Sequence, residues 1–354
     1  MRQDPPRETA GDAEHPSSAR TAPGMKDVAR LASVSHQTVS RVINASPNVR
    51  PDTRARVLAA METLGYRPNS AARALVTGRS RVIGVALMEG HYYGPASALG
   101  GVEGAAAAIG YAVSVASVHG TSPTRLADAV TRLILQGVDG VVLIAPIHVD
   151  EESLDAVARE VPLVAVQGAP EGRFSTVAVD QVEGARLATR HLLELGHRTV
   201  WHVAGPKEWF EASDRIVGWR SVLEEAGAEV PPELPGDWSS DAGYAAGQLL
   251  ARMPAVTAVF TANDPTALGL LRALSEHGRR VPEDVSVVGF DDVPDASNFI
   301  PPLTTVRQDF TEIGRRGVTR LLDLIESRSQ GTERSLIIPT LSVRRSTAPP
   351  RDGA

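Results

Sequence analysis

The sequence predicts an α/β protein: a small helix-turn-helix head followed by a core of two doubly wound parallel-sheet lobes. Three observations lead there. Residues 25–64 carry three short amphipathic helical patterns with a tight turn before the second. After Arg81, apolar runs of strand length alternate with helical stretches, the pattern of parallel strands covered on both faces. The charge is also divided: Met25 to Arg81 holds ten Lys and Arg against three Asp and Glu, a net of +7, which leaves −13 on the rest of a chain whose total is −6. A basic module on an acidic body points to a polyanion partner for the first and solubility for the second. A solvated basic face without a partner is the other reading.

In chain order, residues 1–24 mix Pro, Gly, Ser and both charges without apolar period, as a disordered tail or as a stretch upstream of a true start at Met25. Met25 to Ala32 reads as a first helix, Ser33-Val34-Ser35 as a turn with Ser35 capping the next helix, and His36 to Asn44 as that helix. Pro51 opens a third, striped by Ala55, Val57, Leu58, Met61 and Leu64 and ended by Gly65. Asn69 to Val76 is a two-turn segment. It is too short to stand alone, since isolated helices below about 12–15 residues are marginal. Strands are expected at 82–87, 112–115, 140–144, 163–166, 199–203, 256–260 and 285–290, more than one sheet needs, hence two lobes. Leu336 to Val343 reads as one further strand. The expected boundaries are a head at 25–67, a hinge at 68–79, and a core at 80–347. Within the core the N-lobe takes 80–179 and 310–337, the C-lobe takes 180–309 and 338–347, and 348–354 form a disordered tail.

Composition removes whole classes of function. The chain has 354 residues, 42% apolar and 22% charged, so it can bury sizeable cores. Cys is absent, which excludes thiolate nucleophiles, Cys-based zinc sites and disulfides. There is no apolar run of about 18 residues and no signal-peptide core, so a cytoplasmic, nucleoid-associated protein without membrane contact is expected. Phosphate-cradling and hydrolase motifs are missing too: Gly100-Gly101-Val102-Glu103-Gly104 has the wrong spacing for a dinucleotide loop, and there is no GxSxG or HExxH. No enzyme activity, cofactor or metal is expected.

Several strands end in planar hydrogen-bonding groups: Gln167, Asn263-Asp264 and Asp291-Asp292. Each alone is as readily a helix cap or turn residue. Together, at the carboxyl ends of successive strands, they favour a polar small-molecule cleft.

Met25 to Ala32 followed by Val34 to Asn44 resembles the DNA-binding head of the lactose-repressor/galactose-repressor family of transcriptional regulators. The likeness continues through Leu64-Gly65-Tyr66-Arg67-Pro68-Asn69, Gly196-His197, Ala262 to Gly269, Val287 to Asp292 and Ile300 to Phe310, in one order and spacing to about Thr347. The core follows the lactose-repressor pattern most closely. The resemblance implies that the second helix enters the major groove, with His36, Gln37 and Arg41 facing bases and Ser35, Thr38, Asn44 and Thr53 contacting phosphates. Arg41 suits a guanine, whose O6 and N7 match its planar fork. Arg50 stands where the family has Ser before the third helix, which loses a cap and adds a phosphate-attracting charge. The resemblance also makes the segment opening at Asn69 a hinge helix that orders on DNA, Leu75 wedging into the minor groove beside Ala72 and Arg73.

For the core, the resemblance implies a periplasmic sugar-binding fold with an effector between two lobes, contacted by Gln167, Arg215, Trp238, Asn263, Asp291, Gln308 and Phe310. This is a carbohydrate set, because amides, carboxylate and guanidinium pair with hydroxyls while a Trp face covers the C–H side of a pyranose. Trp238 could equally be core. Gln167 replaces an Asp of the lactose-repressor pattern, keeping hydrogen bonds and losing a charge. The expected protein is a homodimeric repressor of a palindromic operator, controlled allosterically by a small, galactoside-like sugar inducer. No tetramerising Leu heptad follows Arg344. A purine-like effector, and a solute-binding protein of sugar transport, are the alternatives; the second would need a secretion signal and would not carry the basic head.

Overall fold

The computed structural model describes residues 23–43, 46–67, 74, 78–88, 91–120, 123–145, 156–168, 174–327 and 331–351. It divides into two compact units, Met1–Gly78 and Arg79–Ala354.

The first unit holds α1 (Met25–Leu31), α2 (His36–Ile43) and α3 (Pro51–Leu64). Each boundary has a local cause. The Asp27 carboxylate accepts from the Gly24 N–H at 2.9 Å at the start of α1, and the Ser35 hydroxyl accepts from the Thr38 N–H at 3.1 Å ahead of α2. Pro51 sets the first turn of α3, and Gly65 ends it at φ 62°, a left-handed conformation that glycine adopts without strain. Arg50 precedes α3 without a side-chain cap, as its substitution for Ser implies. Val28, Val39 and Val57, one from each helix, are wholly buried together with Ala29, Ala32, Val42 and Ala60.

The second unit contains two sheets. In the N-lobe sheet the strands are β1 (Val82–Met88), β2 (Ala112–Val118), β3 (Gly140–Ile144), β4 (Leu163–Val166), β5 (Ser175–Val179) and β10 (Arg334–Ile337), ordered β10-β5-β4-β3-β1-β2 and parallel throughout. The C-lobe sheet has β6 (Trp201–Val203), β7 (Ala258–Thr261), β8 (Ser286–Asp291), β9 (Thr304–Arg307) and β11 (Thr340–Ser342), ordered β11-β9-β8-β7-β6, with only β11 antiparallel.

Because side chains alternate along a strand, each sheet builds two cores. In the N-lobe, Ile83, Val85, Val142 and Val164 face Ala98 and Val102 of α4 (Tyr93–Ala108) and Ile313 and Leu321 of α10 (Phe310–Ser327). Ala86, Met88, Val141 and Leu143 face Leu126 and Leu133 of α5 (Pro123–Leu135). In the C-lobe, Phe260, Val288 and Phe290 meet α6 (Gln181–Glu194) and α7 (Phe210–Glu225), while Val259 and Val287 meet α8 (Ser240–Leu250) and α9 (Asp264–Glu276). Helices α4 and α10 touch backbone to backbone at Gly101 and Gly314, where no Cβ fits.

The chain passes between the sheets three times: from β5 to α6, from β9 to α10, and from β10 to β11. The third passage corrects the expectation of one strand over Leu336 to Val343. Ile338-Pro339 divides it, because proline donates no ladder hydrogen bond, and the two halves complete different sheets. Residues 348–351 also depart from the expected disordered tail: Ala348 bonds to Ser286 and His197, and Arg351 pairs with Asp284 at 2.9 Å. Strands β5 and β9 carry Ser and Thr that mask their apolar pattern, yet Ser175, Thr176, Thr304 and Thr305 are all buried.

Candidate DNA-reading helix and effector cleft

Helix α2 is sharply two-faced. At about 100° per residue, Val39 and Val42 fall on one side and are buried, while His36, Gln37 and Arg41 fall together on the other and are exposed. Thr38 is half-buried with its hydroxyl 2.9 Å from that of Ser35, so the expected phosphate contacts Ser35 and Thr38 are held at the amino end of the helix by each other. Thr53 lies half-buried in the first turn of α3. Asn44 and the expected hinge contacts Asn69, Ala72, Arg73 and Leu75 lie outside the described residues.

Between the two sheets lies a cleft lined by Tyr92, Tyr93, Gly94, Pro95, Gln167, Trp209, Glu211, Arg215, Trp238, Asn263, Asp291 and Gln308. Asp291 ends β8, Gln167 follows β4 and Asn263 follows β7, the carboxyl ends at which such sheets bind ligands. Gln167, Trp238 and Asp291 have φ of 60°, 69° and 112°, a strained left-handed backbone for residues other than glycine. Strain of this kind costs roughly 1–3 kcal/mol per residue and gathers at functional sites.

A directed relay of hydrogen bonds crosses the cleft floor. The Arg215 Nε donates to Gln181 Oε1 at 2.9 Å, Gln181 Nε2 donates to Gln308 Oε1 at 2.9 Å, and Gln308 Nε2 donates to Asp291 Oδ1 at 2.6 Å. A guanidinium Nη of Arg215 lies 3.8 Å from the same Asp291 oxygen, another donates to the Ala262 carbonyl, and the guanidinium stacks 3.7 Å over the Phe290 ring. Each bond points from the cation towards the carboxylate, so each polarises the next. Gln181 and Gln308 sit at two of the three inter-lobe passages, which ties the relay to the joint. Burial pushes the Asp291 carboxyl up to about 6, against the opposing pull of Arg215 and the Gln308 amide.

The walls are aromatic. Trp209 stands edge-on to Tyr92 at 86° and to Trp238 at 68°. Asn263 is both cap and brace: its Oδ1 accepts from the Thr266 N–H and its Nδ2 donates to the Trp238 carbonyl. Four buried atoms in the cleft meet no partner outside their own residue: Gln167 Oε1, both carboxylate oxygens of Glu211, and Trp238 Nε1. An unmet buried polar atom costs about 1–3 kcal/mol. Burial pushes the Glu211 carboxyl up to about 7, with its own backbone N–H and Arg215 pulling the other way.

Comparison with known proteins places this architecture. Residues 24–69 match the family described as bacterial regulatory proteins, lacI family, and residues 189–347 match the periplasmic binding protein-like domain. The lactose operon repressor of Escherichia coli (strain K12) is 36% identical over 323 residues, 91% of this chain and 89% of its own. The chain belongs to the LacI family.

Other LacI-family relatives include the regulator CelR of Thermobifida fusca, 38% identical over 92% of this chain and 99% of its own, and the repressor PurR of Haemophilus influenzae (strain ATCC 51907 / DSM 11121 / KW20 / Rd), 33% identical over 91% and 98%. Among solved structures, the lac repressor dimer bound to operator and the anti-inducer ONPF has a TM-score of 0.81 at 34% identity, covering 93% of this chain and 100% of that one. The CelR–cellobiose complex has a TM-score of 0.68 at 36% identity, covering 92% and 99%.

Of the expected effector residues in this LacI-family chain, the structure brings Gln167, Arg215, Trp238, Asn263, Asp291 and Gln308 into the cleft. Phe310 is not among its lining residues. It opens α10 against the N-lobe core, 5.8 Å edge-on to Tyr93, and lines an adjoining cavity with Tyr93, Asp291 and Gln308. Asp264 and Asp292, neighbours of the expected contacts, are structural: Asp264 accepts from Thr305 and the Val293 N–H, and Asp292 pairs with Arg344 at 2.6 Å. Sequence reasoning missed Tyr92, Tyr93, Trp209, Glu211 and Gln181. For Glu211 a signal existed. Glu211, Arg215, Gly218 and Val222 recur at helical spacing on the buried stripe of α7, where an unexplained carboxylate stands out. Among the described residues, no cluster of His, Asp or Glu is arranged to hold a metal, and no helix is long and apolar enough to cross a membrane.

Proposed function

We propose that the chain represses transcription by binding a palindromic operator as a homodimer, and that a small neutral saccharide held in the inter-lobe cleft controls that binding, galactosides being the first candidates. Its parts are a head at 25–67, a hinge at 68–79 and an effector core at 80–347. His36, Gln37 and Arg41 read bases, with Ser35, Thr38, Asn44 and Thr53 on phosphates, and the hinge residues Asn69, Ala72, Arg73 and Leu75 serve the minor groove. One observation carries the effector reading: amides, a carboxylate and a guanidinium on the cleft floor are enclosed by aromatic walls at the strand ends. That combination pairs with hydroxyls while covering C–H faces.

Relatives support the reading at the level of class. A lac repressor structure contains ONPG, and the CelR structure contains cellobiose. The relay through Gln181 and Gln308 supports control at a distance, because a ligand that alters its ends acts on two of the three passages joining the lobes. To switch the operator state, the sugar must favour one lobe arrangement by a coupling of about 1–3 kcal/mol or more.

The test is operator binding followed by fluorescence anisotropy, using the DNA next to the protein's own gene and titrating lactose, cellobiose, galactose, glucose and hypoxanthine. Release by a saccharide is the expected result. Response to hypoxanthine with none to any sugar replaces the effector class and keeps the repressor. Absence of DNA binding with tight sugar binding makes the chain a solute-binding protein.

A further inference from the structure

We propose that Glu211 determines which saccharide is recognised, its two carboxylate oxygens gripping a pair of adjacent hydroxyls on a ring that lies against Trp209 and Trp238. The inference rests on the saccharide reading above and adds to it a residue and a hydroxyl pattern. Among the described residues, five buried side-chain polar atoms lack a partner, and four of them line this one cleft; the fifth, His202 Nε2, is in the C-lobe core. Polar atoms buried without partners are rare in folded proteins, so their concentration in one cavity marks what the cavity is built to receive.

The kind of atom specifies the guest. Three of the four are acceptors, Gln167 Oε1 and the two Glu211 oxygens, and one is a donor, Trp238 Nε1. The complement is a molecule bringing several donors and an acceptor, which adjacent hydroxyls supply, since each gives one proton and accepts in turn. Glu211 lies in the first turn of helix α7, two residues after its N-cap Trp209, and one turn further on Arg215 carries the cleft's cation.

Charge narrows the choice. Arg215 and Asp291 already form an oppositely charged pair 3.8 Å apart, so Glu211 adds a second carboxylate that repels a sugar phosphate or sugar acid. Arg215 faces the same space and opposes a cationic guest. The walls oppose a flat one: Tyr92, Trp209 and Trp238 stand edge-on in sequence, so a planar base stacks on one of them only, whereas a puckered ring offers C–H groups to several. What remains is a neutral ring with vicinal hydroxyls.

The experiment is calorimetry on the full chain with lactose, cellobiose, galactose, glucose, glucosamine and hypoxanthine, followed by single-position deoxy forms of whichever sugar binds. In the wild type, removal of either of two adjacent hydroxyls is expected to weaken binding tenfold or more, the scale of a charge-assisted hydrogen bond. In Glu211→Gln the parent sugar weakens by a similar factor and those two deletions cease to matter. Wild-type affinity also rises as pH climbs through about 7, because the ionised carboxylate is the better acceptor, and the rise is flattened in the variant. Arg215 and Asp214 on the same helix and Asp291 on β8 are the charged groups that face Glu211, so the comparison of the two proteins isolates its share.

Adjacent deoxy positions that matter equally in both proteins, or no adjacent pair that matters in the wild type alone, overturn the assignment and leave the saccharide reading standing. Preference for glucosamine over glucose overturns the diol and puts a cation there. Binding of hypoxanthine with no sugar overturns both readings.

Discussion

Replacing Asp291 with Asn is expected to produce a repressor that holds DNA, ignores its sugar and is more stable than the wild type at neutral pH. The carboxylate has two opposed contributions. At 3.8 Å, the attraction of Arg215 is worth about 4 kcal/mol with an effective dielectric constant of about 20. Burial outweighs it, since the carboxyl titrates at about 6 rather than 3.8. At about 1.4 kcal/mol per pH unit, that displacement means ionised Asp291 opposes folding by roughly 3 kcal/mol. The contribution is absent below about pH 4 and complete above about pH 6, so Asp291 makes the wild type less stable as pH rises through that window. Asn keeps the shape and the contact to Gln308 without the charge. Urea unfolding should therefore find the two proteins alike near pH 4 and the variant ahead by up to about 3 kcal/mol at pH 8. In the operator assay, the sugar that releases the wild type should leave the variant bound at a hundredfold higher concentration. A variant that is less stable at pH 8 makes the pair a structural keystone and refutes the reasoning; so does one that releases at the wild-type concentration.

Arg41→Ala and Gln37→Ala should each weaken operator binding by about 1–3 kcal/mol and narrow the ratio of specific to random DNA, measured by competition gel-shift; an unchanged ratio removes α2 from base reading. Leu75→Ala should weaken operator binding by more than the methyl groups it deletes, and amide exchange over 69–76 should be fast without DNA and slowed on it, with slow exchange in the free protein contradicting coupled folding. Gly101→Ala places a Cβ against the Phe310 carbonyl of α10 and should cost about 1–3 kcal/mol in urea titration, since neither backbone can yield alone. Light scattering should return a dimer, the minimum for a two-fold operator; a monomer at operator-binding concentrations excludes that geometry.

How much of this was legible in the sequence depended on whether a residue's task was local. The three head helices, their turn, the cap at Ser35 and the stop at Gly65 are set by neighbours within four residues, and they appear where the sequence placed them. The apolar central strands were equally readable, because burial on both faces leaves an unbroken apolar run. Strand β5 escaped notice because its buried Ser175 hydroxyl is satisfied by the Gly331 carbonyl, far away in sequence. The split at Ile338-Pro339 escaped for a related reason: two halves of one apolar run serve different sheets. In the cleft, the strand-end amides and carboxylate were visible by position. Trp209 and Glu211 were not, since the N-cap and first turn of a helix become a wall only once α7 is packed beside the loop carrying Trp238.

The three passages between the sheets also decide when, during synthesis, the protein can become a regulator. Helices α1 to α3 form one uninterrupted stretch and can fold as soon as they leave the ribosome. The edge strand β10 that finishes the N-lobe sheet is made only after nearly all of the C-lobe, and β11, which finishes the C-lobe sheet, is made later still. At about 5–20 residues per second, the interval from β1 to β10 lasts on the order of tens of seconds. Throughout it, a newborn chain can own a folded head and no finished core. A gene cut short between α10 and β10 leaves that condition permanent: a DNA-reading module with two open sheets and nothing to tell it when to let go.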